Sequence, residues 1–153
     1  MENNPPLSVH KVLAHSYLTY YLLCSFGLLL SVFFPLRFFV PESALLAKIC
    51  FLVGPILIVW AQVTSRKFEK TKQQTGELRF KCGPYRYIRN PTQLGLVILV
   101  LGYALATQTA MLFVTTGIAY IVSNVFFRKH EVILESKYGE PYKEYKSSVR
   151  KVL

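Results

Sequence analysis

Two short stretches of the chain hold most of its usable chemistry. The first reads C-G-P-Y-R-Y-I-R-N-P-T-Q-L-G over residues 82–95. Gly83-Pro84 marks a turn, and Asn90 followed by Pro91 reads as a helix start, with Asn as N-cap and Pro at the first helical position. The free backbone N–H groups of such a start favour an anion. Arg89 beside it adds a full charge and a fork of donors shaped for a carboxylate. The second stretch reads R-K-H-E-V-I-L over residues 128–134. Arg128, His130 and Glu131 would face the same layer as Arg89 and Asn90 if the two stretches meet. Together they would form a zwitterionic site, with cations and a helix start for a carboxylate and a Glu for an amine. Taken singly, each residue also suits a plain interfacial anchor, because Arg and Tyr crowd membrane–water boundaries.

The elements that must position these stretches are apolar. The chain has 153 residues, 52% hydrophobic and only 17% charged. That composition excludes a disordered chain, a coiled coil and a collagen-like chain. Residues 17–36 carry no charge and span about 30 Å as a helix, enough to cross a hydrocarbon core. Residues 44–63 form a second span, with Gly54-Pro55 predicting a kink or a close helix contact. Residues 94–127 are uncharged throughout, about 50 Å as one helix and too long for a single crossing. The polar break at Thr107-Gln108-Thr109 divides them into a tight hairpin with arms 92–106 and 110–127, the first arm short. Gly102 and Ala106 on that arm are a small-residue pair for close helix packing.

The net charge of +10 would suit nucleic acid or an anionic surface, and its placement decides between them. Residues 66–89 hold eight of the 18 basic residues and residues 128–151 hold seven more. By the positive-inside rule, the 66–93 loop and both termini are expected on the cytosolic side. Anionic lipid headgroups then account for the charge, with no nucleic-acid partner. The tail from Glu131 to Val152 reads as an amphipathic helix broken near Gly139 and Pro141, with Tyr138, Tyr142, Tyr145 and Val149 as its buried face. Three cysteines without a C-x-x-C spacing and two lone histidines, His10 and His15, predict neither a disulfide framework nor a metal site. The expected architecture is one all-α integral-membrane domain over 1–153. It has about four transmembrane helices, the last two a tight hairpin, followed by a cytosolic C-terminal amphipathic helix.

With both stretches in view, the chain resembles the small integral-membrane methyltransferases that include isoprenylcysteine carboxyl methyltransferases and phospholipid N-methyltransferases. Their pattern G-P-Y-x-Y-x-R-H-P-x-Y-x-G is similar to residues 83–95. Their R-x-E-E-x-x-L, followed by spaced tyrosines, is similar to Arg128–Leu134 with Tyr138-Gly139, Tyr142 and Tyr145. The match covers the half of the chain from about Leu78 onward; the first two spans match only in hydropathy. The resemblance implies S-adenosylmethionine as cofactor, held in a cytosol-facing pocket lined by both stretches and covered by the C-terminal helix. It also implies a lipophilic methyl acceptor admitted from the bilayer between helices. Gly83, Tyr85, Arg89, Pro91, Gly95 and Glu131 carry over directly as cofactor-binding positions, with Arg89, Glu131 and Arg128 as the catalytic set.

Three motif positions depart from the family. Asn90 stands for the motif His, Gln93 for the Tyr two residues past the Pro, and His130 for the first acid of the Glu-Glu pair. Asn keeps hydrogen bonding but cannot exchange a proton between pH 5 and 8. Gln93 loses an aromatic face. His130 removes a carboxylate from beside a cationic ligand, a change worth about 1–3 kcal/mol in affinity. Asn90, Gln93 and His130 stay in the expected cofactor-binding set. The departures also open an alternative: a non-catalytic membrane protein on the same scaffold that binds the cofactor or a lipid.

Overall fold

The computed structural model describes residues 9–39, 41–75, 78 and 80–149. The final residues of the expected tail helix, Val152 included, lie outside them. Five α-helices follow in order: α1 (Val9–Phe33), α2 (Ser43–Thr75), α3 (Pro91–Thr107), α4 (Ala110–Tyr138) and α5 (Glu140–Ser148). A one-turn 3-10 helix, Gly83–Arg86, sits between α2 and α3. Among the described residues there is no strand, only an isolated bridge between Arg37 and Thr109.

Three helices are long and apolar enough to cross a bilayer, and α3 is a shorter apolar helix. At 17 residues α3 is about 25 Å long, the short arm expected of the hairpin. The apolar faces of the long helices stay uncovered: Tyr21, Val32, Leu52 and Ile121 are each 64–75% exposed. Water would not tolerate so continuous an apolar surface, whereas acyl chains match it. The chain is an integral membrane protein.

Two helices run further than their apolar stretches. α2 continues twelve residues past Val63, so the basic segment expected as loop from residue 66 is helical to Thr75. No Gly or Pro interrupts the chain between Pro55 and Gly76, and its polar residues are ordinary helix formers. α4 likewise carries Arg128–Leu134 as a helical extension past its apolar 110–127 portion. It ends at Gly139, whose φ of +60° lets the chain turn before Pro141 enters the first turn of α5.

α3 lies along α2 and forms the hairpin with α4, while α1 packs chiefly on α4 and touches α3 little. Glycine sets the α2–α3 approach. A methyl group on Gly95 would stand 2.9 Å from the Gly54 carbonyl oxygen, and one on Gly102 would stand 3.0 Å from Cys50 Cβ. The Gly54-Pro55 signal therefore marks a close helix contact. At the hairpin turn, Gln108 takes a left-handed conformation and its side chain donates to Ser43 Oγ at 2.5 Å. Phe38 N–H donates to the Gln108 carbonyl, and Ala110 N–H to that of Leu36, fastening the α1–α2 loop across the turn.

Candidate functional site

At the opposite end from the hairpin turn, the extensions of α2 and α4 stand side by side beyond the apolar belt. Lys137 Nζ reaches Glu69 Oε1 at 3.2 Å, Tyr138 Oη donates to the same oxygen at 3.3 Å, and Lys72 lies 4.5 Å from the Tyr138 ring centre. α5 folds back over this pair. Tyr138, Tyr142, Tyr145 and Val149 are all buried, as their spacing predicts, and pack with Phe68 of α2 and with Phe80. The Phe80 ring is the hub, within 5.2–5.6 Å of the rings of Phe68, Tyr138, Tyr142 and Tyr145.

The 82–90 segment closes the space beneath. Gly83 has φ +53°, and a Cβ there would meet Thr64 Oγ1 at 2.5 Å, so glycine is required both for the turn and for the seat on α2. Tyr145 Oη donates to the Tyr85 carbonyl at 2.7 Å, tying α5 to this loop. Burial pushes the Tyr85 hydroxyl up to about 12, partly offset by the Thr92 and Ser65 hydroxyls, so it stays a neutral donor.

Between these parts lies a cavity of about 600 Å³ lined by Tyr85, Arg89, Asn90, His130 and Glu131 from the two stretches, with the aromatic cluster as a wall. Arg89 Nη1 bonds Glu131 Oε1 at 2.5 Å, both side chains only 11% exposed. Lys146 of α5 reaches Glu131 Oε2 at 3.3 Å and Glu135 Oε1 at 2.6 Å. The Arg89 guanidinium also lies 5.5 Å from the Phe127 ring centre.

Several buried polar atoms here have no partner among the described residues: Arg89 Nε, Asn90 Nδ2 and His130 Nε2, all on residues lining the cavity. Orphaned polar groups in a protein interior are rare and costly, and a cluster around a cavity signals a ligand that completes them. Burial pushes His130, which sits past the apolar 110–127 portion of α4, down to about 4. It is a neutral imidazole at physiological pH.

The expected set divides. Tyr85, Arg89, Asn90, His130 and Glu131 line the cavity together. Asn90 occupies the N-cap position before Pro91 and lines the cavity, and it makes no side-chain cap bond. Gly83 and Gly95 serve backbone close approach, and Pro91 is buried at the start of α3. Gln93 is wholly buried outside the cavity lining, and neither amide atom has a partner among the described residues. Arg128 is exposed on the outer side of α4 and does not join the site. Three contributors escaped the sequence reading: Lys146, Thr92 and the α2 extension with Phe68. Lys146 adjoins Tyr145 on a face already read as buried, which was the available signal.

A helical membrane protein with a polar, aromatic-walled cavity at one edge of its apolar belt is thus defined. The phospholipid methyltransferase family pattern matches residues 43–141, from the start of α2 through Pro141. The chain belongs to that family, and the match takes in the α2 span as well as the two motif stretches. No curated protein and no solved structure matches the chain.

Proposed function

We propose that this protein is an S-adenosylmethionine-dependent methyltransferase acting on a lipophilic acceptor that enters from the bilayer. The observation that carries the reading is the ring of unpartnered polar atoms on Arg89, Asn90 and His130 around one cavity. Its volume suits a nucleoside-sized ligand, and its aromatic wall suits a flat base. The Arg89–Glu131–Lys146 cluster fits an amino-acid end. A zwitterion can enter without net charge transfer, its carboxylate taking Arg89 and Lys146 and its ammonium taking Glu131.

S-adenosylmethionine, when bound, supplies an electrophilic methyl group on a sulfonium. The protein's residues do the rest. Arg89 and Glu131 fix the ligand's polar end. α5, held by the Tyr145 bond to Tyr85, keeps water out. His130, kept neutral by burial, can hydrogen-bond the ligand through Nε2. The basic face bearing the cavity faces the cytosol, where Lys and Arg meet anionic headgroups, and both termini lie there.

The second reading, a non-catalytic binder, draws on Glu131. Both its oxygens are already paired, and His130 supplies no second acid. Titrating S-adenosylhomocysteine into detergent-purified protein, alongside Glu131→Ala, is the test. Micromolar binding lost in the variant supports the cofactor site, and turnover with a lipid acceptor then decides for catalysis. Absence of binding up to about 1 mM, weaker than about −4 kcal/mol, sinks both cofactor readings.

A further inference from the structure

The charges gathered at the cavity cancel one another. Arg89, Lys146 and Lys137 are paired with Glu131, Glu135 and Glu69, and His130 is neutral. Outside that balanced set, residues 64–149 still carry a net charge of +7 with histidine neutral.

The excess lies back to back with the cavity wall. On α2, Arg66 follows the lining residue Ser65, and Lys67 and Lys70 flank Phe68 and Glu69. In the loop, Lys81 precedes Cys82 and Arg86 follows Tyr85; on α4, Arg128 and Lys129 stand between Phe127 and His130. All seven are exposed, and no ion pair among the described residues engages them. The exposed acids at this end, Glu140 and Glu144, are on α5. The seven cations also sit at headgroup level. Arg66 is the first charge past the apolar run of α2, and Arg128 the first past that of α4. Trp60 and Tyr87, 47% and 66% exposed, lie among them, the mixture of aromatic and basic residues that marks a membrane–water boundary. Exposed rings at this level suit a lipid surface rather than a soluble polyanion.

We propose that these seven cations form a collar for anionic phospholipid headgroups, and that the lipid bound there decides which nucleoside the cavity holds: the cationic sulfonium cofactor in an anionic bilayer, its neutral thioether product in a zwitterionic one. This rests on the cofactor reading and adds a regulation of that site. S-adenosylmethionine carries one net positive charge at neutral pH and S-adenosylhomocysteine none. Each collar cation is the chain neighbour of a lining residue, so its charge stands about 10 Å from a ligand. At that range, across water in about 0.1 M salt, one unit charge shifts the affinity of a singly charged ligand about 1.3-fold, so seven bare cations disfavour the cofactor about sixfold. They leave the neutral product untouched. Anionic headgroups cancel the collar, and without them the product holds the site against fresh cofactor.

The test titrates both nucleosides into the full chain in nanodiscs of phosphatidylcholine, alone or with one lipid in three replaced by phosphatidylglycerol. The ratio of the two dissociation constants removes any effect common to both ligands. Anionic lipid should shift the native ratio about sixfold toward the cofactor. The variants are read in phosphatidylcholine alone, where the bilayer adds no charge of its own. There, Arg66→Glu with Lys67→Glu and Lys70→Glu should shift the ratio about fivefold the same way, and Lys81→Glu with Arg86→Glu about threefold, each shift collapsing in about 1 M salt. Product affinity should not change. Native mass spectrometry of protein released from the mixed discs should show phosphatidylglycerol retained over phosphatidylcholine, a preference that both variants lose. A native ratio indifferent to anionic lipid, variants with the native ratio in phosphatidylcholine, or an undiminished lipid preference in the variants each overturns the proposal. Two nucleosides that bind without any lipid dependence sink the proposal and leave the cofactor reading standing. Lipid preference without any nucleoside binding sinks the cofactor reading and, with it, the ligand half of the proposal.

Discussion

Arg89, in the loop before α3, and Glu131, forty-two residues on in α4, meet as an ion pair that is nearly closed to solvent. Lys146 extends it to α5, so the motif stretches and the covering helix share one charge network. Removing one partner of such a pair strands the other charge in a poorly solvated place. Glu131→Leu, which leaves Arg89 unpaired, should lower stability by about 3 kcal/mol, and Arg89→Met by less, because Lys146 still pairs Glu131. The double variant should lose less than the sum of the two, because no unpaired charge remains. Thermal unfolding of the four proteins in one detergent gives the cycle; strict additivity would mean that the pair is not energetically coupled.

His130 gives the pH dependence its sign. Its folded-state value is depressed by burial to about 4, below the ordinary imidazole value of about 6.5. The unfolded chain therefore binds the proton first. Stability from this residue is fully present above pH 6.5 and is lost as pH falls toward 4. Comparing His130→Gln with the native protein isolates the contribution. The native thermal midpoint should fall more steeply between pH 6.5 and 4.5 than the variant's. Parallel profiles would show that His130 is not held neutral.

Much of this was legible in local pattern. The charge-free runs gave the crossings, Thr107–Thr109 gave the hairpin, and Gly139 with Pro141 gave the break before α5. Tyrosine spacing gave the face that α5 buries. What escaped depends on pairings between distant segments. The polar stretch after Val63 has no local breaker, but what holds it, Phe68 packing on Phe80 and Tyr138, joins distant segments. Arg128 and Glu131 look equivalent in the motif. They lie only about 60° apart around α4, yet Arg128 is exposed and Glu131 buried, so the edge of the packed face falls between them. Asn90 has the right type for a cap, yet its side chain makes no cap bond.

One hydrogen bond ties α5 to the 82–90 segment. Tyr145→Phe keeps the ring within its aromatic cluster and deletes only the hydrogen bond to the Tyr85 carbonyl. A neutral hydrogen bond contributes about 1 kcal/mol net, so S-adenosylhomocysteine affinity should weaken about fivefold, mostly through faster dissociation. Stopped-flow release of the nucleoside measures it. An unchanged release rate would mean that α5 does not gate the cavity.

Gly95 sits inside the motif, yet its surroundings are helical backbone. A methyl group there would meet Gly54 carbonyl oxygen at 2.9 Å and Ile58 Cγ1 at 2.7 Å, contacts that force α2 and α3 apart. Gly95→Ala should cost about 1–3 kcal/mol, the usual range for overpacking. Gly117 on α4 is the natural control, since nothing lies within 4 Å of the position a Cβ would take. Gly117→Ala should be neutral or stabilising by up to about 1 kcal/mol, as alanine is the better helix former. The two variants have the same chemistry and opposite expected signs. Their thermal midpoints therefore separate a packing glycine from an incidental one. A Gly95→Ala protein of native stability that lost nucleoside binding would instead place Gly95 at the ligand.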